Sequence, residues 1–151
     1  MNAPLTIRNA EDRDAEPIAV LLGQLGYPAP VEDIPRRIRA VTEIVDAIAI
    51  VAENSDGEVV GVATARLIPS IHAENLIGWL TTIVVMESAR GQGVGSQLVA
   101  FVEDWVTARG ADRITVTSGK QRTRTHQFYV DRGYEHQGLR FMKRLRAEPA
   151  P

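Results

Sequence analysis

The sequence predicts an α/β domain of three layers, α/β/α, with a mixed sheet in the middle. Three observations predict it. Strand-like and helix-like runs follow one another as strand, two helices, a two-strand hairpin, a further strand, helix, strand, helix and strand. The early hairpin requires antiparallel neighbours, whereas the later strand–helix–strand unit requires parallel ones. The length of 151 residues suits one domain spanning residues 1–151, with a frayed tail over about 147–151.

Leu5-Thr6-Ile7-Arg8 reads as a short first strand, and Asn9 to Arg13 as a polar turn. Asp14 stands where a helix N-cap belongs, with Pro17 tolerated in the first turn. Ile18, Leu21, Leu22 and Leu25 then mark one apolar face, and Gly26-Tyr27-Pro28 stops the helix. A second, shorter helix is expected from about Val31 to Val41, apolar through Ile34, Ile38 and Val41. Its polar side carries Arg36, Arg37 and Arg39, a solvated basic face or a contact for substrate or partner.

Ala47 to Glu53 is a strand, Asn54-Ser55-Asp56-Gly57 a hairpin turn, and Glu58 to Ile68 the returning strand, which Pro69 ends. Ser70 to Asn75 bridges to a strand over Leu76–Val85, β-branched toward its end as a buried central strand should be. Val94, Leu98, Phe101, Val102, Trp105 and Val106 recur at spacings of three and four, so an amphipathic helix follows, closed by Arg109 and Gly110. Ala111 to Thr117 alternates as a strand. Ser118 to Arg124 reads as a polar loop, Thr125 to Arg132 as a short helix capped by Gly133, and Tyr134 onward as a last strand through Leu139, Phe141 and Leu145.

The totals exclude several classes of function. Hydrophobic residues at 44% and charged residues at 24% suffice for a core. A net charge of −2, with no basic run interleaved with aromatics, gives no general attraction to nucleic acid. The absence of cysteine rules out a disulfide scaffold, a thiolate metal site and a cysteine nucleophile, and no metal is expected. No apolar run approaches the ~18 residues of a membrane span, and Met1-Asn2-Ala3-Pro4 is no signal peptide, so a cytoplasmic protein is the expectation.

Between the buried strand and the long helix lies Arg90-Gly91-Gln92-Gly93-Val94-Gly95-Ser96, with glycines at alternate positions. Backbone N–H groups at a helix start lack partners, glycine lets a ligand approach them, and the helix dipole adds positive potential. Such a turn suits a phosphate or pyrophosphate, with Arg90 charged at its edge, although a glycine-rich loop without a ligand has the same composition. The spacing fails the dinucleotide fingerprint, whose third glycine would fall at Ser96, and no Gly-Lys-Ser/Thr of a P-loop follows.

Arg90, Gly93 and Gly95 fit Arg-x-x-Gly-x-Gly, and here the chain resembles the GNAT superfamily of acyl-CoA-dependent N-acyltransferases. Thr125-His126-Gln127-Phe128-Tyr129-Val130-Asp131-Arg132-Gly133-Tyr134 is similar to a second segment of that family, Ala-x-x-Phe-Tyr-x-x-x-Gly-Phe/Tyr, with threonine for alanine. The order of elements matches along nearly the whole chain. The resemblance implies the GNAT fold, with a mixed central sheet of about six to seven strands.

It also implies N-acetyl transfer from acetyl-CoA to a small-molecule or peptide primary amine by direct attack, without an acyl-enzyme. Arg90, Gly91, Gln92, Gly93, Val94, Gly95 and Ser96 would hold the diphosphate, and the main chain of Ile83, Val84 and Val85 the pantetheine arm and the thioester oxygen. Tyr129 matches the position of the general acid; a phenol of ordinary pKa ~10 is protonated at neutral pH and can donate to a thiolate of pKa ~8.5. Thr81 stands where many members carry a basic Glu, so the base is left among His72, Glu74 and a water near Thr81. Thr82 stands for a frequent Asn, and Gly119 for an Asn that often contacts pantetheine; Lys120 or Arg124 could reach the 3′-phosphate. His126, at the start of the short helix, reads as packing or capping. Family habit allows a homodimer, and no nucleic acid or membrane partner is implied. The other reading is a non-catalytic acyl-CoA-binding module, which the loss of the Glu favours and retention of Tyr129 opposes.

Overall fold

The computed structural model describes residues 4–117 and 123–146. The chain forms two compact units, Met1–Val116 and Thr117–Pro151. In the first, strands β1 (Thr6–Asn9), β2 (Ala47–Glu53), β3 (Val59–Ile68), β4 (Leu76–Val85) and β5 (Ala111–Val116) form one sheet in sequence order. The first three pairings are antiparallel and β4–β5 is parallel, as a hairpin followed by a helical crossover requires. Helices α1 (Ala15–Leu25), α2 (Ile34–Thr42) and α3 (Val94–Ala108) cover it, and no described helix is long and apolar enough to cross a membrane.

Each element ends where its local chemistry directs. Gly26, in the left-handed region at φ 99°, turns the chain out of α1 while Tyr27 N–H donates to the Leu22 carbonyl at 2.9 Å. The β2–β3 turn is held by Asn54, whose Oδ1 accepts from the amides of Asp56 at 3.0 Å and Glu58 at 2.9 Å.

Helices α1 and α2 bury Ile18, Leu21 and Ile34 against Val51, Val62 and Val84 on one face. Helix α3 takes the opposite face, burying Val94, Leu98, Val99, Val102 and Val106. Its approach is unusually close at two glycines. A Cβ on Gly61 would lie 2.9 Å from Leu98 Cδ1, and one on Gly78 would lie 2.9 Å from Val106 Cβ and Cγ1. These contacts fix the helix along β3 and β4.

Asp14 precedes α1 as expected, but its carboxylate does not cap that helix. It is buried and accepts both Arg8 terminal nitrogens, at 2.9 and 2.8 Å, and the Glu11 amide at 2.8 Å. Arg8 Nε also donates to Glu53 at 3.0 Å, so one guanidinium ties β1, β2 and the start of α1 together. The carboxylate thus caps the 3₁₀ turn before α1, through the Glu11 amide, and pairs with Arg8 at the same time. Burial alone would raise the Asp14 pKa; the bonds from Arg8 and from the Glu11 amide outweigh it, and the net shift is downward.

The second unit holds α4 (Thr123–Asp131), ended by Gly133 at φ 86° with Tyr134 N–H on the Tyr129 carbonyl at 3.0 Å. The strand expected from Tyr134 to Leu145 does not form, so the described residues hold five strands and not six or seven. Among its described residues this unit holds no strand. The expected tail over 147–151 lies outside the described residues.

Two outcomes test this packing. Gly78→Ala should lower stability by about 1–3 kcal/mol in urea unfolding, because the β-branched Val106 Cβ cannot rotate away; an unchanged midpoint would contradict the close seating. A carboxylate with a lowered native pKa stabilises above its unfolded value and loses that contribution as pH falls. Asp14→Asn should therefore destabilise by about 3 kcal/mol at pH 7, and the loss should shrink below pH ~4. A loss that is the same at pH 7 and pH 3 would contradict the ion pair.

Candidate functional site

Strand β4 changes character at its middle. Pairing with β3 runs Thr64↔Thr82 and then Ala65↔Leu80, leaving Thr81 as the extra residue of a β-bulge. Pairing with β5 runs from Leu76 only as far as Leu80↔Val116. From Thr81 to Val85 the β5-facing edge of β4 therefore has no ladder partner among the described residues. A central strand thus has one open edge along Ile83 to Val85, the segment expected to take an extended ligand arm. Their side chains are half-buried at Ile83 and Val85 and buried at Val84.

The glycine turn begins directly beyond this edge. Met86 N–H donates to the Val60 carbonyl at 2.8 Å, and Gln24 of α1 accepts the Glu87 amide at 3.0 Å, which pins the exit from β4. A 3₁₀ turn over Glu87–Ala89 leads to Gly91 and Gly93, both left-handed at φ 79° and 84°. Gly93 is the N-cap of α3, and the Gln97 amide makes the first-turn bond to its carbonyl at 3.1 Å. The amides of Val94 and Gly95 precede that bond, at the positive end of a helix of 15 residues. Gly95 lies inside the helix, so its use is the absence of a side chain and not a special φ. A Cβ on Gly91 would meet nothing within 4 Å, so the turn is open to a ligand.

Arg90 is exposed and donates through Nε to the Val85 carbonyl at 3.3 Å, linking the turn to the free edge of β4. Gln92 Nε2 donates to the Ser88 carbonyl at 3.4 Å and braces the turn from within. Ser96 is half-buried in the first turn of α3. Glycines that allow left-handed φ, a dipole, a cation and an unpaired strand edge together fit a diphosphate joined to an extended chain.

The remaining expected residues are distributed otherwise. Tyr129 is buried in α4, edge-on to Phe128 and Tyr134 with ring centroids 5.2 and 5.3 Å away. His126 is half-buried and Arg124 exposed on the same helix, while Gly119 and Lys120 lie outside the described residues. His72 and Glu74 are exposed in the β3–β4 connection, and His72 Nδ1 shares a hydrogen bond with Ser70. That connection enters β4 at Leu76, seven residues or about 23 Å before Ile83. Thr81, within β4, is exposed, with its hydroxyl 2.7 Å from that of Thr64. Among the described residues no three acidic or histidine side chains gather as metal ligands.

A family model described as "Acetyltransferase (GNAT) family" matches residues 19–134. Over 90 residues the chain is 36% identical to an aminoalkylphosphonate N-acetyltransferase of Salmonella typhimurium, a match covering 60% of this chain and 58% of the other. The chain spans little more than half the length of the curated relatives it matches. A solved transcriptional regulator from Bacillus halodurans C-125 superposes with a TM-score of 0.81 at 29% identity, over 93% of this chain and 100% of that one. An aminoglycoside N-acetyltransferase, AAC(6′)-Iy, solved in complex with CoA, superposes with a TM-score of 0.80 at 21% identity, over 97% and 98%. With the bulged, splayed central strand and the glycine turn in place, the match over residues 19–134 identifies this chain as a member of the GNAT acetyltransferase family.

Proposed function

We propose that the protein transfers an acetyl group from acetyl-CoA to a primary amine by direct attack. The single observation that carries this reading is the β4 edge from Thr81 to Val85, which has no ladder partner among the described residues and continues into left-handed glycines at a helix N-terminus. The family match supports it, as does a relative named for acetylating aminoalkylphosphonates, which are primary amines.

In this reading acetyl-CoA supplies the activated thioester. The amides around Gly93 to Ser96 take the diphosphate, and Arg90 adds charge at its edge. The β4 backbone at Ile83 to Val85 pairs with the pantetheine amides, and an N–H near Ile83 stabilises the oxygen of the tetrahedral intermediate. The amine forms the new C–N bond, the C–S bond breaks, and the Tyr129 hydroxyl gives its proton to the departing thiolate. The amine's proton leaves through water at the Thr64–Thr81 hydroxyl pair, because neither hydroxyl is itself a base and Thr81 is open to solvent. A cytoplasmic homodimer fits this reading.

Two measurements test it. Gly93→Val should raise the dissociation constant for CoA at least tenfold, since a β-branched residue at φ 84° is strained and obstructs the amides; undiminished affinity would remove the turn from the site. Tyr129→Phe should lower kcat by about 10²-fold while leaving CoA affinity unchanged, and near-normal turnover would refute the acid role.

A further inference from the structure

The sheet face that carries α1 and α2 is only half covered. Those helices seal the row Val51, Val62 and Val84. Moving down the strands from there, the next residues on that face are Thr64 and Thr81, joined through their hydroxyls, and both β3 and β4 become more exposed. One row further, Arg66 stands directly opposite Trp79, which in turn stands opposite Thr115 of β5, with Ala47 of β2 on the other side of Arg66. Trp79 is 37% exposed, and Arg66 and Thr115 are exposed.

The charges in this row are unbalanced. Arg66 has no hydrogen-bond or ion-pair partner among the described residues, whereas Arg113, one row below, is paired through Nε with Asp112 at 3.0 Å. A central-strand tryptophan more than one-third exposed beside an uncompensated guanidinium is poorly explained by folding, because the opposite side of the same strands is filled by α3. Both groups suit an anion on a short carbon chain. A guanidinium grips a phosphonate or carboxylate with two parallel N–H bonds, while an indole packs a methylene chain and donates through Nε1.

Spacing links this row to the reaction. Thr81, where the amine would lose its proton, is two residues along β4 from Trp79, or about 7 Å. That is the reach of an amine joined through two or three carbons to an anionic head. We infer that Arg66 and Trp79 select the acceptor, and that it is a short-chain primary amine ending in a phosphonate or carboxylate. This inference rests on the acetyl-transfer reading for its amine and on the Arg66–Trp79 row for its anion, and the two can fail separately.

The test compares 2-aminoethylphosphonate, ethanolamine and ethylenediamine as acceptors by thiol release from acetyl-CoA. Binding of methylphosphonate is followed separately by indole fluorescence in a Trp105→Phe background, which leaves Trp79 as the reporter. The wild-type protein should use the phosphonate at least tenfold better in kcat/KM than either other amine. Arg66→Gln should erase that preference by raising KM, with the ethanolamine value retained, and Arg66→Lys should restore part of it. Saturable quenching by methylphosphonate should disappear in Arg66→Gln. Equal use of the three amines, a preference for ethylenediamine, or an Arg66→Gln protein with the preference intact would overturn the anion site. Quenching that depends on Arg66, with no thiol released from any amine, would uphold the anion site and refute the transferase reading.

Discussion

The close seating of α3 on β3 and β4 is the constraint from which the rest follows. The helix reaches its position only because Gly61 and Gly78 present no side chain beneath Leu98 and Val106. Those two contacts lie near opposite ends of the helix, so they set its direction as well as its distance. A helix so placed has its first turn beside the end of β4, with too little chain between them for anything but a tight turn. Gly91 and Gly93 supply the left-handed residues which that turn requires.

Beyond its middle, β4 is held on one edge only. Thr81 bulges, pairing with β5 stops at Leu80, and the remaining residues keep their β3 ladder with the other edge open. A bulge increases local twist and bends its strand, which accounts for the parting of two otherwise parallel neighbours. The open edge and the helix N-terminus are then contiguous because Val85 and Gly93 are only eight residues apart. Arg90 spans the gap by donating to the Val85 carbonyl. Main chain, dipole and a fixed cation thus converge without a buried ionisable side chain. This suits a ligand that is long, polar and anionic at one end.

Much of this is written in short-range patterns. The spacing of Ile18, Leu21 and Leu25, the turn at Asn54 to Gly57 and the glycine closures after α1, α3 and α4 all depend on neighbours within a few residues, and α1, α3, α4 and the five strands stand within one or two residues of where those patterns put them. The glycine turn was legible for the same reason. What depends on distant partners was not. Nothing in the local pattern announces that Arg8 will bind the Asp14 carboxylate and, through Nε, Glu53 of β2 as well. The bulge at Thr81 is a register between two strands, which neither strand encodes alone. Gly61 and Gly78 look like weak points in strands until α3 is laid over them. The alternation of Leu139, Phe141 and Leu145 reads as a strand, but the described residues after Tyr134 form none.

The central claim is that main-chain amides of the glycine turn, and not a side-chain cluster, hold the diphosphate of coenzyme A. A crystal structure of the protein with CoA tests it most directly. The account predicts diphosphate oxygens within about 3 Å of amide nitrogens between Gly91 and Ser96, with the pantetheine amides bonded to the β4 main chain at Ile83 to Val85. A diphosphate bound elsewhere, with the turn and the open edge of β4 left to water, would contradict it.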